Sequence, residues 1–364
     1  MGSDVYVTVG LAAEIPIAVA AALGNALVCW AVYYNRRLRN VTNYFIVSLA
    51  IADLLVGLLA IPFALLTNAG EPRNSFHLCL FMNSFVVTLT QSSILSLLAI
   101  ALDRYFAVVS PLRYKRVATA RRALIVIFFT WLLAFVIGMI PVFGWNLGKP
   151  ERENYACVFT EVIDMRYMVY FNFLGSVLPP LLIMLFVYVR IFRVVRKQLA
   201  AISRTMVASN DEMNRQLAAL AVKEGRAAKL LAIVIILFAV SWLPLHIINT
   251  VILCTGGVNY TILLIAIILS HSNSAMNPIV YTLSNREFRR TFYRLIFKVI
   301  LRGVISIRSC EPDNRMDEFT GGYTSATHFH QVRNGVNSRD TPRGTPLPLK
   351  KFGPKESKGA DHCL

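Results

Sequence analysis

The sequence predicts an all-α membrane protein: a seven-transmembrane helix bundle plus a short amphipathic helix on the inner leaflet. Three observations lead there. Seven windows of mostly apolar residues recur along the 364-residue chain, each near the roughly 20 residues that a hydrocarbon core about 30 Å thick requires. Hydrophobic residues make up 56 % and charged residues 16 %, against roughly 25 % charged in a soluble domain. Finally, the cations gather on alternate connecting segments, as the positive-inside rule requires.

The elements follow in order. Residues 1–9 form a short extracellular segment. It has no basic n-region, so no cleavable signal is expected and the first span, about 10–34, inserts as its own signal. Arg36, Arg37 and Arg39 follow it. The second window, about 43–68, carries Asp53, and the third, about 78–109, ends in Asp103 and Arg104. The fourth is about 122–144, and no charged residue lies between Ala123 and Gly148. The fifth is about 165–189, and an inner loop at 200–222 separates it from the sixth. The sixth and seventh, about 229–254 and 261–283, are joined only by the turn from Thr255 to Tyr260. From about 285 to 302, Phe288, Phe292, Leu295, Ile296 and Val299 share one helical face with arginines around them, the pattern of a helix lying on the inner leaflet. Residues 303–364 are rich in Gly, Pro, Ser, Thr and charge and read as a disordered cytoplasmic tail.

Orientation follows from the cations. With the N-terminus outside, only Arg73, Lys149, Arg152 and Arg166 fall on outer loops. The C-terminus is then cytoplasmic. A net charge of +17 and a pI near 9.9 raise the question of nucleic acid, but cations interleaved with apolar spans point to the lipid bilayer instead. Cys79 and Cys157 both lie on the oxidising outer side and are expected to form a disulfide. Cys310, past the amphipathic helix, is a candidate palmitoylation site. The outward sequon Asn259-Tyr260-Thr261 is a candidate glycosylation site.

Ionisable residues inside a span are costly and point to function. Glu14, Asp53, His246 and His271 are such residues. Trp242, Leu245, His246 and Asn249 share one face of the sixth helix, at i, i+3, i+4 and i+7. Ile267, Ser270, His271 and Ser274 repeat that spacing on the seventh. The short turn makes the two helices neighbours, so their stripes face a common interior near the outer surface. A mixed wall of aromatic, aliphatic, amide and imidazole groups suits a compact, polar, uncharged ligand. The third helix has no carboxylate between Cys79 and Leu102 to pair with an amine ligand, and the seventh has no lysine for a retinal Schiff base. No catalytic motif is present, so the chain is not expected to be an enzyme. A transporter or channel is the alternative class; the seven spans show no half-to-half repeat in its favour.

Asp103-Arg104-Tyr105 ends the third span, and Asn277-Pro278-Ile279-Val280-Tyr281 ends the seventh. With Gly24-Asn25, Leu49 to Asp53, Trp131 and Trp242-Leu243-Pro244, the chain resembles the rhodopsin-like G-protein-coupled receptors over about 10–302. Leu89 to Ile94, Tyr167 to Phe173, Ser241 to Asn249 and Ser270 to Ser274 are similar to adenosine receptors. The resemblance implies that Asn249 grips the adenine edge and that Phe159 stacks on the purine. Ser270 and His271 would bind the ribose, with Thr90 near its 5′ substituent and Glu14 hydrogen-bonded to His271 to fix its tautomer. Val87, Met168, Asn172, Leu245, His246 and Ile267 would complete the pocket above Trp242. Thr160 stands after Phe159, where many members of the family carry Glu, so one adenine contact and part of the lid differ.

The resemblance also implies partners and a switch. Asp53, Ser93, Asn273 and Asn277 would hold an allosteric sodium ion favouring the resting state. Arg104 would pair with Asp103 and reach Glu224 at rest, and Tyr105, Pro278 and Tyr281 complete the switch. On opening, Arg104 and Leu112 would meet a heterotrimeric G protein, Gs rather than Gi by the likeness of the first two helices, with cyclic AMP as the output. Arrestin and receptor kinases would follow. The same receptor fold with another nucleoside or an unknown ligand, or with Gi coupling, is the alternative reading.

Overall fold

The computed structural model describes residues 2–208 and 212–302. Among them, seven helices are long and apolar enough to span a membrane. In a bilayer each backbone N–H and C=O needs an internal partner, which a continuous helix supplies. The helices are α1 (Gly2–Tyr34), α2 (Val41–Leu55, extended by a π-helical turn at Val56–Ala60 and by Ile61–Asn68) and α3 (Phe76–Val109). They continue as α4 (Ala120–Met139), α5 (a π-helical Tyr167–Val177 running into Leu178–Ala208), α6 (Glu212–Thr255) and α7 (Tyr260–Ser284). The amphipathic α8 is Arg286–Arg302.

Three bounds differ from the sequence reading. Residues 200–222, expected as a loop, are largely helix, because α5 and α6 both run on past the apolar windows. Ala, Leu, Met, Arg and Gln in this segment favour helix whether or not lipid surrounds them. The fourth span stops at Met139 rather than near 144. Pro141 has no N–H to continue the ladder, and the Asn146 side chain donates to its carbonyl at 2.8 Å, turning the chain out. At the other end of the chain, α1 starts at Gly2, ahead of the expected span.

The helices close into a ring, α1 against α2 and α7, α5 against α6, and α6 against α7, with α3 packed on α2, α4 and α5. In its most apolar stretch α3 is 72 % buried, against 28 % for α1 and α4. It is therefore the central post, and the outer helices turn their other faces to lipid. Two close approaches fix the ring. A Cβ on Gly138 would overlap Thr88 of α3, and one on Gly57 would lie 2.7 Å from the Ala18 carbonyl of α1. On the inner side, Asn35 and Asn40 cap the turns after α1 by accepting from the Arg37 and Asn43 amides. Asn35 also donates to Thr291 at 2.9 Å, tying α8 to the first turn. Phe288, Phe292 and Leu295 of α8 are buried, and Arg286, Arg289, Arg290 and Arg294 are exposed. Ile296, from the same apolar stripe, is half-exposed, as are Tyr293 and Phe297. The tail from 303, with Cys310, and the side chains of Glu224 and Val299 lie outside the described residues.

Candidate functional site

The outer half of the bundle encloses a cavity of about 520 Å³. Helix periodicity builds its walls. On α6, Trp242, Leu245, His246 and Asn249 all line it, and on α7 Ile267, Ser270 and His271 do. The two stripes inferred from spacing do converge. Val87 and Thr90 enter from α3, and Met168 and Asn172 from the π-helical start of α5. Phe159 and Thr160 come down from a short helix, Phe159–Val162, in the outer loop. That loop is anchored by the Cys79–Cys157 disulfide, with Cα atoms 5.6 Å apart. The pairing expected from sidedness alone is present.

The polar groups have defined states. Thr90 donates back to the Val86 and Val87 carbonyls and Ser270 to the Ile267 carbonyl, leaving both oxygens to accept from a ligand. His246 stacks on Phe173 with ring centroids 4.7 Å apart. Both of its ring nitrogens, and the Trp242 Nε1, are buried without a protein partner. A buried unpaired donor or acceptor costs about 1–3 kcal/mol, so these groups favour a hydrogen-bonding guest.

Glu14 does not line the cavity. It is fully buried behind His271, its Oε1 3.2 Å from His271 Nδ1. The expected hydrogen bond is not formed: the separation is that of an ion pair, but the N–H is not aligned on the oxygen.

Residues beyond the predicted stripes also line the cavity. Gln91 and Asn83 on α3 and an arm formed by Ala64, Thr67, Asn68 and Gly70 near the end of α2 are among them. Nothing in the α6 and α7 spacing pointed to them, since which α2 and α3 residues face inward depends on helix rotation. Glu161 turns outward, 2.6 Å from Arg152, and Thr160 holds the cavity side.

Deeper, Asp53 is wholly buried. Ser93 donates to it at 3.0 Å, Ser274 at 2.9 Å and Asn277 at 2.6 Å. Of the four expected ion-site residues, Asp53, Ser93 and Asn277 come together. The third donor is Ser274, which had been placed in the ligand stripe. Asn273 is buried one position away on α7 and its side chain is not among the carboxylate's donors. A one-residue step along a helix rotates the side chain by about 100°, which the resemblance did not resolve. A buried carboxylate with the Ser93 and Ser274 hydroxyl oxygens beside it offers the hard oxygen ligands that suit a small cation.

At the inner end, Arg104 Nη2 lies 2.8 Å from the Asp103 carboxylate. Thr42 and Tyr114 donate to the same carboxylate at 2.7 and 2.8 Å. Arg104 also donates to Thr42 and sits over the Tyr114 ring, its Cζ 6.0 Å from the centroid. Burial, with the Asp103 charge beside it, pushes the Tyr114 phenol above its ordinary pKa of 10.0. Sequence reasoning missed Thr42 and Tyr114, which the fold brings from the first turn of α2 and from the short helix Pro111–Val117 after α3. Tyr105 packs at the edge of the inner core. Pro278 meets Gly24 of α1, and Tyr281 lies buried against Phe288 of α8. Leu112, on the short helix Pro111–Val117, is 80 % exposed. Asn259 caps α7 by accepting from the Thr261 amide.

Comparison with known proteins places these features. Residues 24–281 match the family described as 7 transmembrane receptor (rhodopsin family). The adenosine receptor A2a of Homo sapiens is 49 % identical over 317 residues, covering 83 % of this chain and 74 % of that one. The adenosine receptor A2a of Canis lupus familiaris is 46 % identical over 341 residues, covering 90 % of this chain and 77 % of that one. The adenosine receptor A2b of Gallus gallus is 46 % identical over 322 residues, covering 83 % of this chain and 92 % of its own.

Proposed function

We propose a function from one premise: the chain belongs to the rhodopsin family of seven-transmembrane receptors and, within it, to the adenosine receptors. It is a multi-pass membrane receptor and not an enzyme. Its ligand is extracellular adenosine, and its output is activation of Gs and a rise in cyclic AMP. The N-terminus is extracellular and the C-terminus cytoplasmic, the arrangement favoured by its inner cations.

One observation carries the ligand: Asn249, Phe159, Ser270 and His271 line the same cavity. An amide offers a donor and an acceptor to the adenine edge, an aromatic ring offers a face to the purine, and hydroxyl and imidazole suit the ribose. Leu245, Ile267, Met168 and Val87 supply the apolar wall. A nucleoside bound this way bridges α6 and α7 just above Trp242. Drawing the two helices together there repacks Trp242 on Phe238, its ring neighbour at 6.1 Å. The inner half of α6 then swings out, Arg104 leaves Asp103, and Arg104 and Leu112 receive the G protein. The ligand drives this only as far as it binds the open state better.

Asp53, Ser93 and Asn277, with Ser274, are the residues that would hold sodium in the resting state. When bound, the ion neutralises the buried carboxylate. Arrestin and receptor kinases are the expected later partners. Thr160 on the cavity wall favours a second reading: tolerance of adenines with larger substituents, because no carboxylate occupies its place.

The test is cyclic AMP in cells expressing the chain, with adenosine added and adenosine deaminase in the control. A rise supports adenosine and Gs. A fall in forskolin-raised cyclic AMP keeps the ligand and reassigns the coupling to Gi. No response from protein shown at the surface rejects the ligand.

A further inference from the structure

The π-helical stretch of α5 ends against two prolines, Pro179 and Pro180. In α-helical register the Ser176 carbonyl would accept from the N–H of residue 180, and proline has none. A side chain from α3 stands in: Gln91 Nε2 donates to the Ser176 carbonyl at 2.9 Å. Gln91 is 1 % exposed and lines the ligand cavity next in sequence to Thr90. The Ser176 hydroxyl donates to the Phe171 carbonyl at 3.1 Å, so this turn of α5 leans on side chains twice. Below the prolines, α5 packs along α6.

We propose that Gln91 is a positioning residue: its amide supplies the hydrogen bond that Pro180 denies to α5, and so clamps the proline kink in the resting arrangement from within the ligand cavity. That arrangement is the one seen here, with Arg104 held by Asp103. Releasing the amide loosens α5 at the kink and lets its inner half follow α6 outward. A ligand group that draws the amide toward itself therefore acts on α5 directly, besides its action through Trp242. The role in signalling rests on the receptor function proposed above; the clamp itself does not.

The test uses the full-length receptor in lipid nanodiscs, without ligand or G protein. Amide hydrogen exchange over residues 172–185 is compared in the wild type, Gln91→Met, Pro180→Ala and the double variant. A neutral hydrogen bond contributes modestly, so Gln91→Met is expected to speed exchange about fivefold in the wild-type background. In the Pro180→Ala background the change falls below about twofold, because alanine returns an N–H to the Ser176 carbonyl. Equal acceleration in both backgrounds reduces Gln91 to a packing residue and overturns the proposal. Should Pro180→Ala fail to fold, Gln91→Glu takes its place. A carboxyl buried there stays protonated and still donates through its O–H, so exchange slower than in Gln91→Met is expected, and equal exchange in the two variants overturns the clamp. In cells, basal cyclic AMP of Gln91→Met is expected to rise several-fold. Because exchange needs no ligand, failure of adenosine to bind rejects the proposed ligand without touching this test.

Discussion

Replacing Asn249 with alanine removes the side chain assigned above to give and take hydrogen bonds on an adenine edge. Asn249 is 6 % exposed, so those bonds form away from bulk water. Two bonds contribute about 0.5–1.5 kcal/mol each, and an adenine edge left buried and unpaired costs about 1–3 kcal/mol more. The cavity of about 520 Å³ leaves room for water to replace part of the lost amide, which moves the total toward about 2–3 kcal/mol. At about 1.4 kcal/mol per tenfold, agonist potency should fall roughly 30- to 150-fold. The assay is an adenosine dose–response in cyclic AMP at matched surface expression, paired with displacement of a labelled adenosine analogue. Asn249→Asp keeps an acceptor and loses the donor, so it should fall between wild type and alanine. A shift below about threefold for alanine, in both assays, would refute the placement of the purine and with it the reading of the cavity.

Three further outcomes are expected. His271→Ala should weaken adenosine about tenfold or more, since a hydrogen bond and the partner of buried Glu14 are both lost, while a ligand lacking ribose loses much less; equal losses in competition binding would count against the ribose assignment. Asp53→Asn should abolish the sodium dependence of agonist binding, read as affinity across a sodium chloride titration against choline chloride; unchanged dependence would move the ion elsewhere. Tyr114→Phe should leave ligand binding unchanged and lower G-protein activation several-fold, because the Leu112 helix loses its bond to Asp103. The phenol is pushed above its ordinary pKa of 10.0, so the protonated donor is fully present below about pH 10 and is lost only as pH rises beyond that. The wild-type contribution should therefore be flat from about pH 6 to 8.5, and activation assays showing a pH step in that range would contradict the assignment.

The membrane fold and its seven spans were legible in the sequence because hydrocarbon imposes length and composition locally. The α6 and α7 stripes were legible because 3.6-residue periodicity fixes which residues share a face. Convergence across the six-residue turn needed no tertiary knowledge. What periodicity cannot give is the rotation of one helix against another. That rotation put Ser274 rather than Asn273 on Asp53, brought Gln91 onto the Ser176 carbonyl, and left Glu14 near His271 at 3.2 Å without aligning a bond. It also closed Thr42 and Tyr114, from two separate helices, around Asp103. Hydrophobic burial is proportional to area and nearly blind to direction, so it dictates which face turns inward. Hydrogen bonds weaken steeply with angle, so their partners are chosen only when the packed helices fix positions to a fraction of an ångström.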